Sequence, residues 1–311
     1  MSSPAAASGS GDAISADAAR SEAARDLLAR CIEAAVPPDA AAWFRQALHE
    51  ASSSNDDRAL VRALGLAPRR LGRADLVARE SDAAAADGLH SGWDLGGLSV
   101  DQAARIALLL ASYRGDEHAF ARTVDELCRT AEINELVAYY RGLAVFPAAA
   151  LLQGRAREGV RSAITPVFEA VAHRNPYPRT VFDRDAWNQM VLKALFIGST
   201  LDPIQGLDAR ANADLATMLV DYAHERWAAG RPVSPELWRC VGPFADTRAL
   251  DAFTRLLETG APRERLAAAL ALRDCPDPRA ADLLARHPDC ARELDDKGVT
   301  WTSLAQQHTA A

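Results

Sequence analysis

The chain has 311 residues, a formal net charge of −7, 49% apolar and 25% charged residues, which is ample apolar sequence for one large domain or two ordinary ones. The acidic balance argues against a nucleic-acid binder, which needs a basic excess to displace counterions from phosphates. No run approaches the roughly 18 consecutive apolar residues that span a bilayer, so no direct membrane insertion is expected.

Residues 1–20 lack a basic, apolar leader and read as a disordered tail. Apolar residues at three- and four-residue spacing then dominate, and alternating β-branched runs are nearly absent, so helices are expected throughout. Residues 22–50 read as a helix interrupted at Pro37 and Pro38, with Asp39 as N-cap of its second part. Residues 56–67 and 73–86 read as two more, and Arg69, Arg70 and Arg73 as a solvated basic face. A Gly-rich loop, 90–98, leads to Ser99, the expected cap of a helix over 100–113; helices over 116–130, 133–143 and 154–173 follow. The run His173-Arg174-Asn175-Pro176-Tyr177-Pro178 stops the last of these, because each proline biases its predecessor away from the α region. Helices at 184–197 and 212–229 come next, and Ser234-Pro235-Glu236 opens another. From Thr247, short helices at 247–259, 262–274 and 278–286 each carry a narrow apolar face. Such faces need stacking to be buried, and the fold expected is all-α, a HEAT-like α-solenoid stack of antiparallel helix pairs.

Five cysteines, Cys31, Cys128, Cys240, Cys275 and Cys290, are odd in number and form no Cys-x-x-Cys pair, which fits reduced thiols in a cytoplasm and points to no metal. Of 35 basic residues only Lys193 and Lys297 are lysines. A coding bias toward arginine leaves lysine where its compact, deprotonatable ammonium is needed, or by chance.

Helix 184–197 divides into two faces. Trp187, Met190, Val191, Ala194 and Leu195 form a core stripe, while Asp185, Gln189 and Lys193 follow one another on the opposite side with Asn188 flanking. That side is either a solvated polar face or, with His173, Arg174 and Asn175 folded back by the proline turn, a site for a small polar or anionic ligand. Lys193 with Asp185 or His173 is also a conceivable acid–base set. The stretch Tyr222-Ala223-His224-Glu225-Arg226-Trp227 lacks the second histidine of a zinc protease, position 228 being Ala, so His224 reads as a packed or capping residue or one facing the ligand. No phosphate-binding glycine loop and no serine-nucleophile elbow is present.

Several long, aperiodic motifs carry a family resemblance. They are the 173–178 run with Phe182, the stretch from Asp185 to Ala194, Gly206-Leu207-Asp208 with Ala211-Asn212, 222–227, Pro235-Glu236-Leu237-Trp238-Arg239 and Gly242-Pro243-Phe244, with Tyr140-Arg141-Gly142-Leu143 upstream. Together they resemble the EboA family, strongly over 130–245. The resemblance implies a metabolite traffic protein of a bacterial secondary-metabolite cluster, moving a precursor toward the cell envelope. It implies a small-molecule metabolite as ligand, with the other cluster-encoded proteins, a UbiA-type prenyltransferase among them, as further candidate partners. It assigns no catalytic residue and no cofactor.

The expectation is therefore a single all-α domain over 21–311, with a signature core at 130–245, helix pairs at 246–290 and a tail at 291–311. Its function is non-enzymatic binding or trafficking of a precursor through His173, Arg174, Asn175, Asp185, Asn188, Gln189, Lys193 and His224. An enzyme using Lys193, and a helical scaffold for the cluster's other proteins, are the alternatives.

Overall fold

The computed structural model describes residues 9–53 and 57–306, with side chains from Ala18 onward. Among these residues the chain is all-α: seventeen α-helices, two short 3₁₀ helices and no strand. It forms two compact units, one ending at Phe182 and the other beginning at Asp183.

The first unit holds α1 (Gly9–Ala35), α2 (Pro38–Ser53), α3 (Arg58–Leu71), α4 (Glu80–Leu89), α5 (Val100–Ser112), α6 (Glu117–Thr130), α7 (Ile133–Gly142), α8 (Gln153–Arg161), α9 (Thr165–Ala172) and α10 (Tyr177–Val181). Helix α5 is its axis: α1, α2, α3 and α7 all pack on it, and eleven of its thirteen residues are buried. A helix apolar on every side belongs in a core, but α5 also takes in Asp101 and Arg105. Their side chains pair at 2.5 Å with only 3% and 4% exposure, and the Ser99 hydroxyl donates to the same carboxylate at 2.5 Å. Ser99 is the N-cap residue of α5, as expected. Its hydroxyl serves Asp101, and Gln102 reaches back to accept from the Ser99 N–H at 3.2 Å.

The second unit holds α11 (Arg184–Ile197), α12 (Ala213–Ala228), α13 (Thr247–Thr259), α14 (Pro262–Arg273), α15 (Pro278–Ala285), α16 (Pro288–Asp296) and α17 (Trp301–Gln306). Here α14 is central: α13, α15, α16 and α17 pack against it. An aromatic stack of Trp227, Trp238 and Phe253, with centroids 5.8 and 5.4 Å apart, fills the space between α12, the 3₁₀ turn Pro235–Arg239 and α13.

Several expected boundaries move for identifiable reasons. No helix spans 73–86, because the backbone there pairs with the segment before α5: Leu76 N–H donates to Leu98 O at 2.8 Å and Val100 N–H to Ala74 O at 2.9 Å. Helix α4 starts only at Glu80, where the Asp82 carboxylate accepts from Arg79 N–H. The helix expected over 154–173 is two, α8 and α9. The Ser162 hydroxyl turns the chain by accepting from Ile164 N–H at 3.1 Å, and Pro166 restarts it. The expected opening at Ser234-Pro235-Glu236 forms a 3₁₀ helix. The expected N-terminal tail lies outside the described residues over 1–8, while 9–20 begin α1; the expected C-terminal tail, 291–311, contains most of α16 and all of α17, with 307–311 outside the described residues. No helix among the described residues is long and apolar enough to cross a membrane.

Candidate functional site

The eight residues singled out from sequence fall in both units. In the first unit, Asn175 is 2% exposed and its amide is committed to the fold. It donates to Tyr140 O at 2.9 Å and Ala170 O at 3.0 Å, and accepts from Tyr177 N–H at 3.0 Å. This lock holds Arg174 in the left-handed region, at φ 50°, a conformation unfavourable for a residue with a Cβ. Arg174 is exposed, its Nε 3.9 Å from Asp94. His173 lies beside Glu169, ring to carboxylate, at 4.0 Å. Asn175→Ala strands the Ala170 carbonyl and the Tyr177 N–H in the interior, while Tyr140 O keeps its bond from Leu143 N–H; its expected cost is about 1 to 3 kcal/mol, read as a lowered urea midpoint with unchanged slope.

In the second unit the core stripe of α11 is as expected, with Trp187, Met190, Val191, Ala194 and Leu195 buried. Asn188, 3% exposed, is buried with them and forms a reciprocal amide pair with Asn212 at 2.9 and 3.2 Å. Asn212 in turn caps α12 by accepting from Leu215 N–H. Asp185 and Gln189 are exposed on successive turns. Lys193 sits one turn further, its Nζ 5.5 Å from the centre of the exposed Phe196 ring. His224 is exposed, edge-on to Trp227 at 5.5 Å.

A concavity lies elsewhere in the first unit, between α6 and α8. Helix α6 is started by Asp116, whose carboxylate accepts from Ala119 N–H at 2.9 Å, a bond that holds the carboxyl below its ordinary range. Phe120, Val124 and Cys128, at four-residue spacing, bury one face of α6, leaving His118, Arg122, Asp125 and Arg129 on the other. Helix α8 buries Ala156, Gly159 and Val160. Gly159 is required for that seat: a Cβ there would come within 2.6 Å of Val171 and 3.0 Å of the Tyr140 ring. Arg155, Arg157 and Arg161 then face the same cleft as the α6 arginines.

The cleft measures about 670 Å³, within the size of sites that take small metabolites, ~300–1,000 Å³. Leu151 and Leu152 form an apolar wall, and Gly154 leaves one flank open, with nothing within 4 Å of where its Cβ would stand. At the centre Asp125 accepts from Arg155 Nε at 3.0 Å and pairs with Arg129 at 2.7 Å. The Arg155 hydrogen bond is the main reason the Asp125 carboxyl is held below its usual range. Cys128 and Tyr140 feel the charge of Arg155, yet burial pushes both up to about 12, so thiol and phenol stay protonated and unreactive at neutral pH. None of the eight sequence-derived residues lines this cleft. The signal that marks it in sequence is Arg122 and Arg129, two helical turns apart, matched by Arg155, Arg157 and Arg161 thirty residues on. Among the described residues no group of three metal-ligating side chains comes together.

No curated protein and no solved structure matches the chain. A family model does: that of metabolite traffic protein EboA, over residues 24–242, a span that contains the whole α6/α8 cleft. The chain belongs to the EboA family.

Proposed function

We propose that this EboA-family protein is a non-enzymatic binding component of a secondary-metabolite pathway, and that it holds a small-molecule precursor in the α6/α8 cleft for transfer. The observation that carries this reading is the cleft itself: about 670 Å³, inside the family-matched span, with charged groups on two helices and an apolar wall of leucines. Holding is favoured over chemistry because two of the cleft's three carboxylates are already paired, Asp125 with two arginines and Glu158 with Arg161. The five unpaired thiols support a reducing, cytoplasmic setting. The second unit, where α13 to α16 pack successively with short connections, supports a HEAT-like stack that offers a surface to the other cluster-encoded proteins.

The polar face of α11, with Asp185, Gln189 and Lys193, is the second reading, favoured by the retention of one of two lysines there. Metabolite capture separates the two. The purified full chain is incubated with a small-molecule extract of its host, washed, and its retained compounds are identified by mass spectrometry. The cleft reading expects retention that survives Lys193→Met and is lost in Gly154→Phe. Retention lost in Lys193→Met and intact in Gly154→Phe places the ligand on α11 instead.

A further inference from the structure

We infer that the α6/α8 cleft recognises a dianionic head group, phosphate monoester or dicarboxylate, and that Asp125 is a built-in competitor for it. This assignment rests on the cleft being the binding site. Five arginines, Arg122, Arg129, Arg155, Arg157 and Arg161, line the cleft against three carboxylates, leaving an excess of two positive charges, in a chain whose net charge is −7. A concave surface that reverses the sign of the whole molecule concentrates anions from solution. Guanidinium forks bind oxyanions bidentately, which sets orientation as well as affinity.

The central geometry already displays that recognition with an internal anion. Asp125 occupies the middle of α6 and draws Arg155, only 18% exposed, and Arg129 onto its two oxygens. The two ion pairs orient both guanidiniums about Asp125, Arg155 largely buried and Arg129 still open to solvent. An incoming oxyanion shares or displaces the Asp125 contacts and adds Arg122 and Arg157 from the two walls. The apolar wall, where Leu151 is 42% exposed, then meets whatever hydrocarbon the anion carries. Asp125 thus keeps the arginines ordered while holding down affinity, which suits a protein that must also release its cargo.

The test is a calorimetric titration of the full chain at low ionic strength, where unit charges are screened over ~30 Å instead of ~8 Å. The probes are phenyl phosphate and phthalate, both dianions with an aromatic body, and neutral benzyl alcohol as control. The expected result is saturable binding of at least one dianion and none of the alcohol, with phenyl phosphate or phthalate dominance identifying the head group. Arg122→Gln with Arg157→Gln weakens that binding about tenfold or more, the loss expected for a hydrogen bond to a charged group. Asp125→Asn strengthens it several-fold by removing the competing charge. No saturable dianion binding, equal affinity in the arginine double variant, or weaker binding in a folded Asp125→Asn each overturns the assignment. Metabolite capture lost in Gly154→Phe but intact in the arginine double variant overturns the anionic class alone; capture intact in Gly154→Phe overturns the cleft as well.

Discussion

Asp101→Asn is expected to cost about 3 to 5 kcal/mol, the range for leaving a buried charge without its partner. Arg105 lies on the most buried helix of the first unit, and its Nη1 meets Asp101 at 2.5 Å; the next carboxylate, Glu135, is 3.7 Å from Nη2, and Nε has no partner. Asparagine keeps the volume and removes the nearer countercharge, so the loss reports a buried guanidinium left with only Glu135 at 3.7 Å and not a cavity. The effect is read best from native-state hydrogen exchange of the α5 amides, which follows the unit that contains the pair. The complementary variant, Asp101→Leu with Arg105→Met, replaces the pair with apolar groups on a helix already surrounded by apolar neighbours. It is expected to recover to within about 1 kcal/mol of the parent. A double variant as unstable as Asp101→Asn would show that the pair itself, through Ser99 and Glu135, organises the α5 start.

Gly154→Phe is expected to abolish ligand retention, a loss of about 100-fold or more from a blocked site, while stability stays level or rises by about 0.5 kcal/mol. Two glycines of α8 face opposite ways. At Gly159 a Cβ collides with Val171 and Tyr140, and even Gly159→Ala should cost about 1 to 3 kcal/mol by overpacking. At Gly154 a Cβ meets nothing within 4 Å, the backbone is helical with no positive φ, and the position lines the cleft. Replacing it also removes the entropic cost of a helical glycine. The ring is placed in the volume a metabolite would occupy, without disturbing the ion pairs of Asp125. Thermal melting checks the fold, and retained small molecules checked by mass spectrometry give the functional result.

The helical class and most helix positions were legible from periodicity and caps, since local spacing decides which face a helix buries. The start of α11 and the core stripe Trp187, Met190, Val191 and Leu195 came through directly. The segment 73–79 did not, because its backbone bonds go to residues 98–100, a pairing that no local pattern announces. Asn175 and Asn188 were singled out for their polarity, and both lie in the interior with their amides satisfied by the fold. A sequence shows that an amide is present and not whether a carbonyl thirty-five residues away already holds it. The α6/α8 cleft was missed for a related reason. In a chain with 33 arginines and two lysines, scarcity drew attention to Lys193. The common cation, spread over two helix faces that each look solvated alone, forms the concentrated positive site only when α6 and α8 are placed side by side.

A crystal structure of the full chain with its retained metabolite bound decides where the ligand sits. Ligand density is expected between α6 and α8, with an oxyanion within hydrogen-bonding distance of Arg122 or Arg157 and an apolar portion against Leu151. Density for the metabolite against Asp185, Gln189 and Lys193 on α11, with the α6/α8 cleft holding only solvent, would contradict that placement.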